Sequence, residues 1–120
     1  MPLTALLAES DWIIPQLPTL PSTRDRLGRA ELAQIKPEAC IVNVANAAII
    51  NREALIETLR AGRLGGVALD VHYQEPVGDD DELLSFDNVI LTPRMAGSPR
   101  FNGLNDFEQL ITGLARELTA

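Results

Sequence analysis

Residues 70–76, DVHYQEP, bring two carboxylates, Asp70 and Glu75, together with the only histidine, His72, and the only tyrosine, Tyr73. Histidine exchanges protons near neutral pH and a neighbouring carboxylate can orient it, so the stretch has the residue types of proton-transfer chemistry. Arg94, in LTPRMAG, adds a cation that stays protonated at any working pH. With these four residues it could form a pocket for proton chemistry that needs no nucleotide. The plainer reading makes His72 and Tyr73 loop or packing residues. A second stretch, IVNVANAAIINREAL at 41–55, is shaped like an active-site loop: an apolar run, a turn at Asn46, then a helix start. Its turn holds no charge.

The elements that must position these residues can be read from apolar patterning. Leu3, Leu6 and Leu7 fall at helical spacing, and WIIPQL reads as a short strand whose Pro15 assigns it to a sheet edge. GRAELAQIK is a short amphipathic helix with Leu32 and Ile35 inward, ended by Pro37. CIVNVA, GGVALDV and NVILTP read as buried strands. Between the first two lies helix NREALIETLRAG, with Asn51 as N-cap and Gly62 as its C-terminal signal. The last segment reads as an amphipathic helix with Ser98 at the N-cap, Pro99 at N1, and Leu104, Phe107, Leu110, Ile111, Leu114 and Leu118 on one face. Strands that are nearly continuous apolar runs, separated by helices, predict a parallel sheet with flanking helices. Ligands of such sheets bind beyond the carboxyl ends of the strands, which selects residues 16–19, 46–48, 70–75 and 92–97.

At 120 residues the chain reads as a single domain with 46% apolar and 4% aromatic residues, so its core rests on Leu, Ile, Val and Ala. A net charge of −7 argues against a nucleic-acid or anionic-membrane partner. The acidic run Asp79, Asp80, Asp81, Glu82 is expected to be a solvated loop. Cys40 stands alone and reads as a small core residue, which suits a reducing cytoplasm. No apolar run is long enough to span a membrane, no leader pattern opens the chain, and no metal-ligand spacing occurs.

Taken in order, SDWIIPQLPTLPSTRDRLG, the long run from ELAQIKPEAC to VALDVHYQEP, and LLSFDNVILTPRMAG resemble the second half of the NAD-binding domain of the D-isomer-specific 2-hydroxyacid dehydrogenases. The resemblance implies half of a doubly wound, Rossmann-like fold, truncated so that residues 1–120 lack the G-x-G-x-x-G loop and the ribose-binding acid. GRLGG at 62–66 is not that loop, since it follows a helix and precedes a strand. In the family an arginine in N-T-A-R-G binds the substrate carboxylate, a histidine in T-P-H is the acid/base, and a glutamate before proline orients that histidine. The matching positions here are Asn46, Arg94 and Glu75. Only the glutamate is retained, and Glu75 facing Arg94 is expected to form an ion pair. Asp70 matches an aspartate near the nicotinamide end of the cofactor, with a strand-terminal residue bonded to backbone as the other reading. Together with Pro18 it is the vestige of a cofactor surface.

Three functions follow from this comparison. The first is a degenerate dehydrogenase relative serving as a small-molecule-binding, regulatory or scaffold module, with Asn46, Arg94 and Tyr73 contacting the ligand. The second is a repurposed lyase, cyclase or isomerase using Asp70, His72 and Glu75. The third is an NAD(P)-dependent oxidoreductase whose partner chain supplies the missing half; without one, no cofactor is expected. A half-domain exposes an unpaired strand edge and apolar surface, so a homodimer is expected to cover it.

Overall fold

The computed structural model describes residues 1–96 and 103–119. Four strands, β1 (Trp12–Ile13), β2 (Cys40–Asn43), β3 (Gly66–Leu69) and β4 (Val89–Leu91), run parallel and lie side by side in chain order, with β1 and β4 at the edges. With helices α1 (Leu3–Glu9), α2 (Arg29–Leu32), α3 (Arg52–Arg60) and α4 (Gly103–Thr119), this is the expected Rossmann-like α/β architecture.

Chain-order strands with right-handed crossovers place their connections on one side of the sheet. Accordingly α1 touches α2 and α2 touches α3. Ile41, Asn43, Val67 and Leu69 point into this layer and are buried. The alternate residues face the other way, where Val42 sits beside Ala68 and Ala68 beside Ile90 across three strands. That second face is open among the described residues: Ile90 and Trp12 are each 64% exposed.

On the covered side, α3 sets four apolar residues into the core. Asn51 Oδ1 accepts the Ala54 N–H at 2.9 Å as the N-cap, and Gly62, at φ +65°, turns the chain out at the far end. Ala54, Leu55, Ile56 and Leu59 are buried between them, each of the larger three contributing about 1.5–3 kcal/mol.

Several expectations need correction. Of WIIPQL only Trp12–Ile13 is strand, because Pro15 removes a ladder donor just beyond it. The helix in GRAELAQIK is the four-residue α2, although Leu32 and Ile35 are buried as the pattern requires. Cys40 is only half-buried, on the open face. The acidic run is not simply a solvated loop, since Asp81 pairs with Arg52 at 2.9 Å and accepts the Leu83 N–H, while Glu82 pairs with Arg60. Half of the run therefore clamps the loop before β4 onto α3. In α4, Ile111, Leu114 and Leu118 are exposed. Ser98 and Pro99, and the side chains of Leu104, Phe107 and Leu110, lie outside the described residues.

Gly65 and Gly62 make a matched test of local packing. A Cβ on Gly65 would collide with the Glu38 carbonyl oxygen, whereas one on Gly62 meets nothing and suffers only its left-handed backbone. Gly65→Ala should cost about 1–3 kcal/mol and Gly62→Ala about 1 kcal/mol. Urea denaturation of both variants checks the ranking, and equal losses would contradict it.

Candidate functional site

The site forms where β2, β3 and β4 end. At the end of β2, Asn43 is fully buried and its amide organises the turn: Oδ1 accepts the N–H groups of Ala45 (3.1 Å) and Asn46 (3.3 Å), and Nδ2 donates to the Asn46 carbonyl (2.8 Å). Asn46 then caps a short 3₁₀ turn, Ala47–Ile49, by accepting the Ala48 N–H at 3.1 Å. Its Nδ2 donates to Thr19 Oγ1 at 2.6 Å. Asn46 thus joins the loop after β1 to the loop after β2 and brings no charge to the cleft.

After β3, Asp70 is 7% exposed. One carboxylate oxygen accepts Thr92 Oγ1 (2.6 Å) and the Met95 N–H (2.6 Å), and the other accepts the Ala96 N–H (3.0 Å). The Thr92 hydroxyl foremost, and the two N–H groups after it, hold the carboxyl below its usual range against the opposing effect of burial. These bonds close the turn after β4 and leave Asp70 little capacity for a ligand. The same turn sets Arg94 in the left-handed region, φ 55°, with its N–H donating to the Asp70 (3.2 Å) and Thr92 (3.0 Å) carbonyls. A non-glycine residue pays about 1–2 kcal/mol there.

The remaining candidates are tied down to different extents. His72 Nε2 lies 2.7 Å from the Thr92 carbonyl, which can only accept, so Nε2 carries the proton and Nδ1 is the ring's lone acceptor. The His72 N–H donates to Glu75 Oε1 at 3.3 Å. Tyr73 donates its hydroxyl to the Ile50 carbonyl at 2.8 Å, and burial pushes the phenol well above its ordinary range, so it stays protonated. Arg94 Nη1 donates to Glu75 Oε1 (3.0 Å) and Oε2 (3.2 Å), forming the ion pair expected of these residue types. That bond, more than the His72 N–H, holds the Glu75 carboxyl below its usual range.

Two clefts meet at this pair. A polar one of about 390 Å³ is lined by Thr19, Asn46, His72, Tyr73, Glu75 and Arg94. A more apolar one of about 450 Å³ continues past His72, Glu75 and Arg94 to Val77, Leu84 and Leu91. Asn46 and Arg94, forty-eight positions apart in the chain, thus share the polar cleft, as do His72, Tyr73 and Glu75. Asp70 lies behind it, and Pro18 lines neither cleft; its carbonyl accepts Thr23 Oγ1 at 2.6 Å. Sequence reasoning missed Asn43, while Thr19 and Thr92 fell within the strand-end ranges it selected but received no role of their own. For Asn43 the signal was available, a polar residue closing an apolar strand.

These residues do not fit a whole dinucleotide. Among the described residues no G-x-G-x-x-G run joins a strand to the helix after it: Gly65 precedes β3 and Gly66 opens it, Gly62 ends α3, and Gly28 stands alone as the cap of the four-residue α2. A pyrophosphate needs close backbone approach at a helix N-terminus, and the described residues do not form that cradle. No group of three His, Cys, Asp or Glu among the described residues could hold a metal ion. No described helix is long and apolar enough to cross a membrane.

The acid limb of stability tests the two carboxylates. Both have folded pKa values below the ordinary Asp and Glu values of about 3.9 and 4.3, so their contribution is present above those values and is lost as pH falls through the folded ones. Urea midpoints should therefore drop steeply below about pH 4. Asp70→Asn should flatten that limb and cost about 1–3 kcal/mol at pH 7, because an amide cannot accept on both sides. An unchanged acid limb in the variant would contradict the assignment.

A sequence profile described as "D-isomer specific 2-hydroxyacid dehydrogenase, NAD binding domain" matches residues 1–96. The chain is 39% identical over 119 residues to a glyoxylate reductase of Thermococcus gammatolerans, covering 99% of this chain and 34% of that one. Among solved structures it superposes on apo D-mandelate dehydrogenase of Rhodotorula graminis with a TM-score of 0.82 and 33% identity, over 92% of this chain and 31% of that one. A D-isomer specific 2-hydroxyacid dehydrogenase of Xanthobacter autotrophicus Py2, solved with NADPH and MES, gives a TM-score of 0.74 and 34% identity over 78% and 30% of the two chains. The chain thus spans about a third of the length of these relatives. It belongs to the D-isomer specific 2-hydroxyacid dehydrogenase family, as a stretch of its NAD-binding domain.

Proposed function

We propose that this family member no longer transfers hydride and serves as a small-molecule-binding module with a regulatory or scaffold role. The observation that carries this reading is the Arg94–Glu75 ion pair, which occupies the place where the resemblance puts a histidine–glutamate pair. A guanidinium does not give up its proton at working pH, so it cannot serve as the acid/base for a substrate hydroxyl. Asn46 weakens the case further, because the opposite wall of the cleft lacks the cation that the family directs at a carboxylate. NAD(P) enters this reading only together with a phosphate loop, which the described residues do not supply. The cytoplasm is the compartment we assign, on the single cysteine.

The non-redox enzyme reading rests on less. Asp70 and the Tyr73 hydroxyl are spent on internal hydrogen bonds, so His72 Nδ1 is the proton acceptor left to it beside the paired Glu75.

We further propose that a second copy covers the open sheet face and the β1 edge. Parallel sheets are ordinarily buried on both faces, and Trp12, Ile14 and Ile90 are exposed apolar side chains on or beside this one. Sedimentation equilibrium should give twice 13.1 kDa, and Ile90→Asp should shift the mass toward one chain. A soluble monomer in the unaltered protein would sink the dimer.

The catalytic reading is tested by following NADH with glyoxylate as oxidant. Neither the unaltered chain nor Asn46→Arg should oxidise NADH above background, since the arginine alone restores no proton carrier. Glyoxylate-dependent turnover in either would overturn the proposal.

A further inference from the structure

We infer that Arg94 is an oxyanion anchor: the Nε–H and Nη2–H edge of its guanidinium takes a ligand with two oxygens at fork spacing, a carboxylate or a phosphate, in competition with the charge of Glu75. This deepens the small-molecule reading of the polar cleft and rests on it.

The first observation is how Arg94 spends its donors. Nη1 alone contacts Glu75, reaching Oε1 at 3.0 Å and Oε2 at 3.2 Å. Among the described residues nothing accepts from Nε or Nη2. The chain itself shows what that edge does when satisfied: Arg29 donates Nε (2.7 Å) and Nη2 (2.6 Å) to the two oxygens of Glu57, and Arg60 turns the same edge to Glu82. A fork-to-fork bond of this kind is the strong mode of carboxylate and phosphate recognition. Arg94 makes the weaker contact and keeps the stronger edge unspent.

The second observation is where that edge is rooted. The Arg94 backbone is held left-handed by the bonds from its N–H to the Asp70 and Thr92 carbonyls, and the next two N–H groups close on the Asp70 carboxylate. The guanidinium therefore projects from a fixed base, which reduces the ordering cost of binding. Its side chain is about half exposed, at 51%, and lines a cleft of about 390 Å³, within the range of small-molecule sites. Thr19 and Asn46 supply neutral polar groups on the facing wall.

Glu75 decides how tightly such a ligand is held. Its carboxylate neutralises Arg94 and lies close enough to repel an incoming anion, yet an exposed pair of this geometry is a weak competitor. Removing its charge should tighten anion binding about three- to tenfold.

The test is an NMR titration of the full chain with acetate and, separately, with inorganic phosphate, at constant ionic strength. Saturable shifts of the Arg94 Nε–H and the 94–96 amides in the millimolar range are expected. The tighter of the two anions identifies the source as planar or tetrahedral. Arg94→Lys, which keeps the charge and loses the fork, should weaken binding about tenfold; Arg94→Gln should abolish it, and Glu75→Gln should tighten it. Equal binding by Arg94→Gln, no tightening in Glu75→Gln, or no saturation by either anion would overturn the inference. None of those results bears on hydride transfer, which the NADH assay reads independently.

Discussion

The Asp70 carboxylate, gripped by the Thr92 hydroxyl and the Met95 and Ala96 N–H groups, ties the end of β3 to the end of β4. The wall of the cleft that carries Arg94 depends on that tie. It bends the chain after Thr92 back over β3 and forces Arg94 into its left-handed conformation. It also leaves the Thr92 carbonyl facing His72 Nε2, which fixes the ring. A mirrored device works after β2, where buried Asn43 shapes the turn that presents Asn46. Two short polar side chains at strand ends thus set the geometry of both cleft walls.

On that frame, the substitutions at 46 and 94 have a joint meaning that neither has alone. The family resemblance places a cation at the position of Asn46 and a titrating ring at that of Arg94. Here the cation stands at 94, against Glu75, and the neutral amide stands at 46. The cleft carries an arginine where the resemblance places the proton carrier. On the proposed reading, such a change removes acid/base chemistry from that position while preserving the capacity to recognise a negatively charged group, provided Glu75 does not hold the guanidinium too firmly. Contact through a single nitrogen is the geometry in which it does not.

Much of the fold was legible because periodicity and capping agreed. Asn51 and Gly62 bounded α3, and the apolar runs gave three of the four strands their positions. The strand in WIIPQL was overestimated because pattern reading counted apolar residues that Pro15 prevents from pairing. Of the site, the ion pair between Glu75 and Arg94 could be read from residue type once their positions were aligned. Asp70 could not be resolved between two roles, since its donors, Thr92, Met95 and Ala96, lie more than twenty positions away. The acidic run misled for a similar reason. Local composition says that Asp81 and Glu82 are solvated, and only the tertiary arrangement brings Arg52 and Arg60 beneath them.

The open sheet face links the cleft to assembly. Val42, Ala68 and Ile90 form a row across three strands on that face, and Val42 and Ala68 belong to a shallow apolar recess shared with Asp70, Thr92 and Met95. Whatever covers the row also presses on the back of the turn that positions Arg94. Burial there would exclude water from the Asp70 bonds and strengthen each of them, since hydrogen bonds to an ionised carboxylate gain as the local dielectric falls. An uncovered face would leave the turn wet and Arg94 less firmly rooted. The proposed partner surface and the proposed ligand cleft are thus opposite sides of one turn, and assembly should alter anion affinity with no new contact to the ligand.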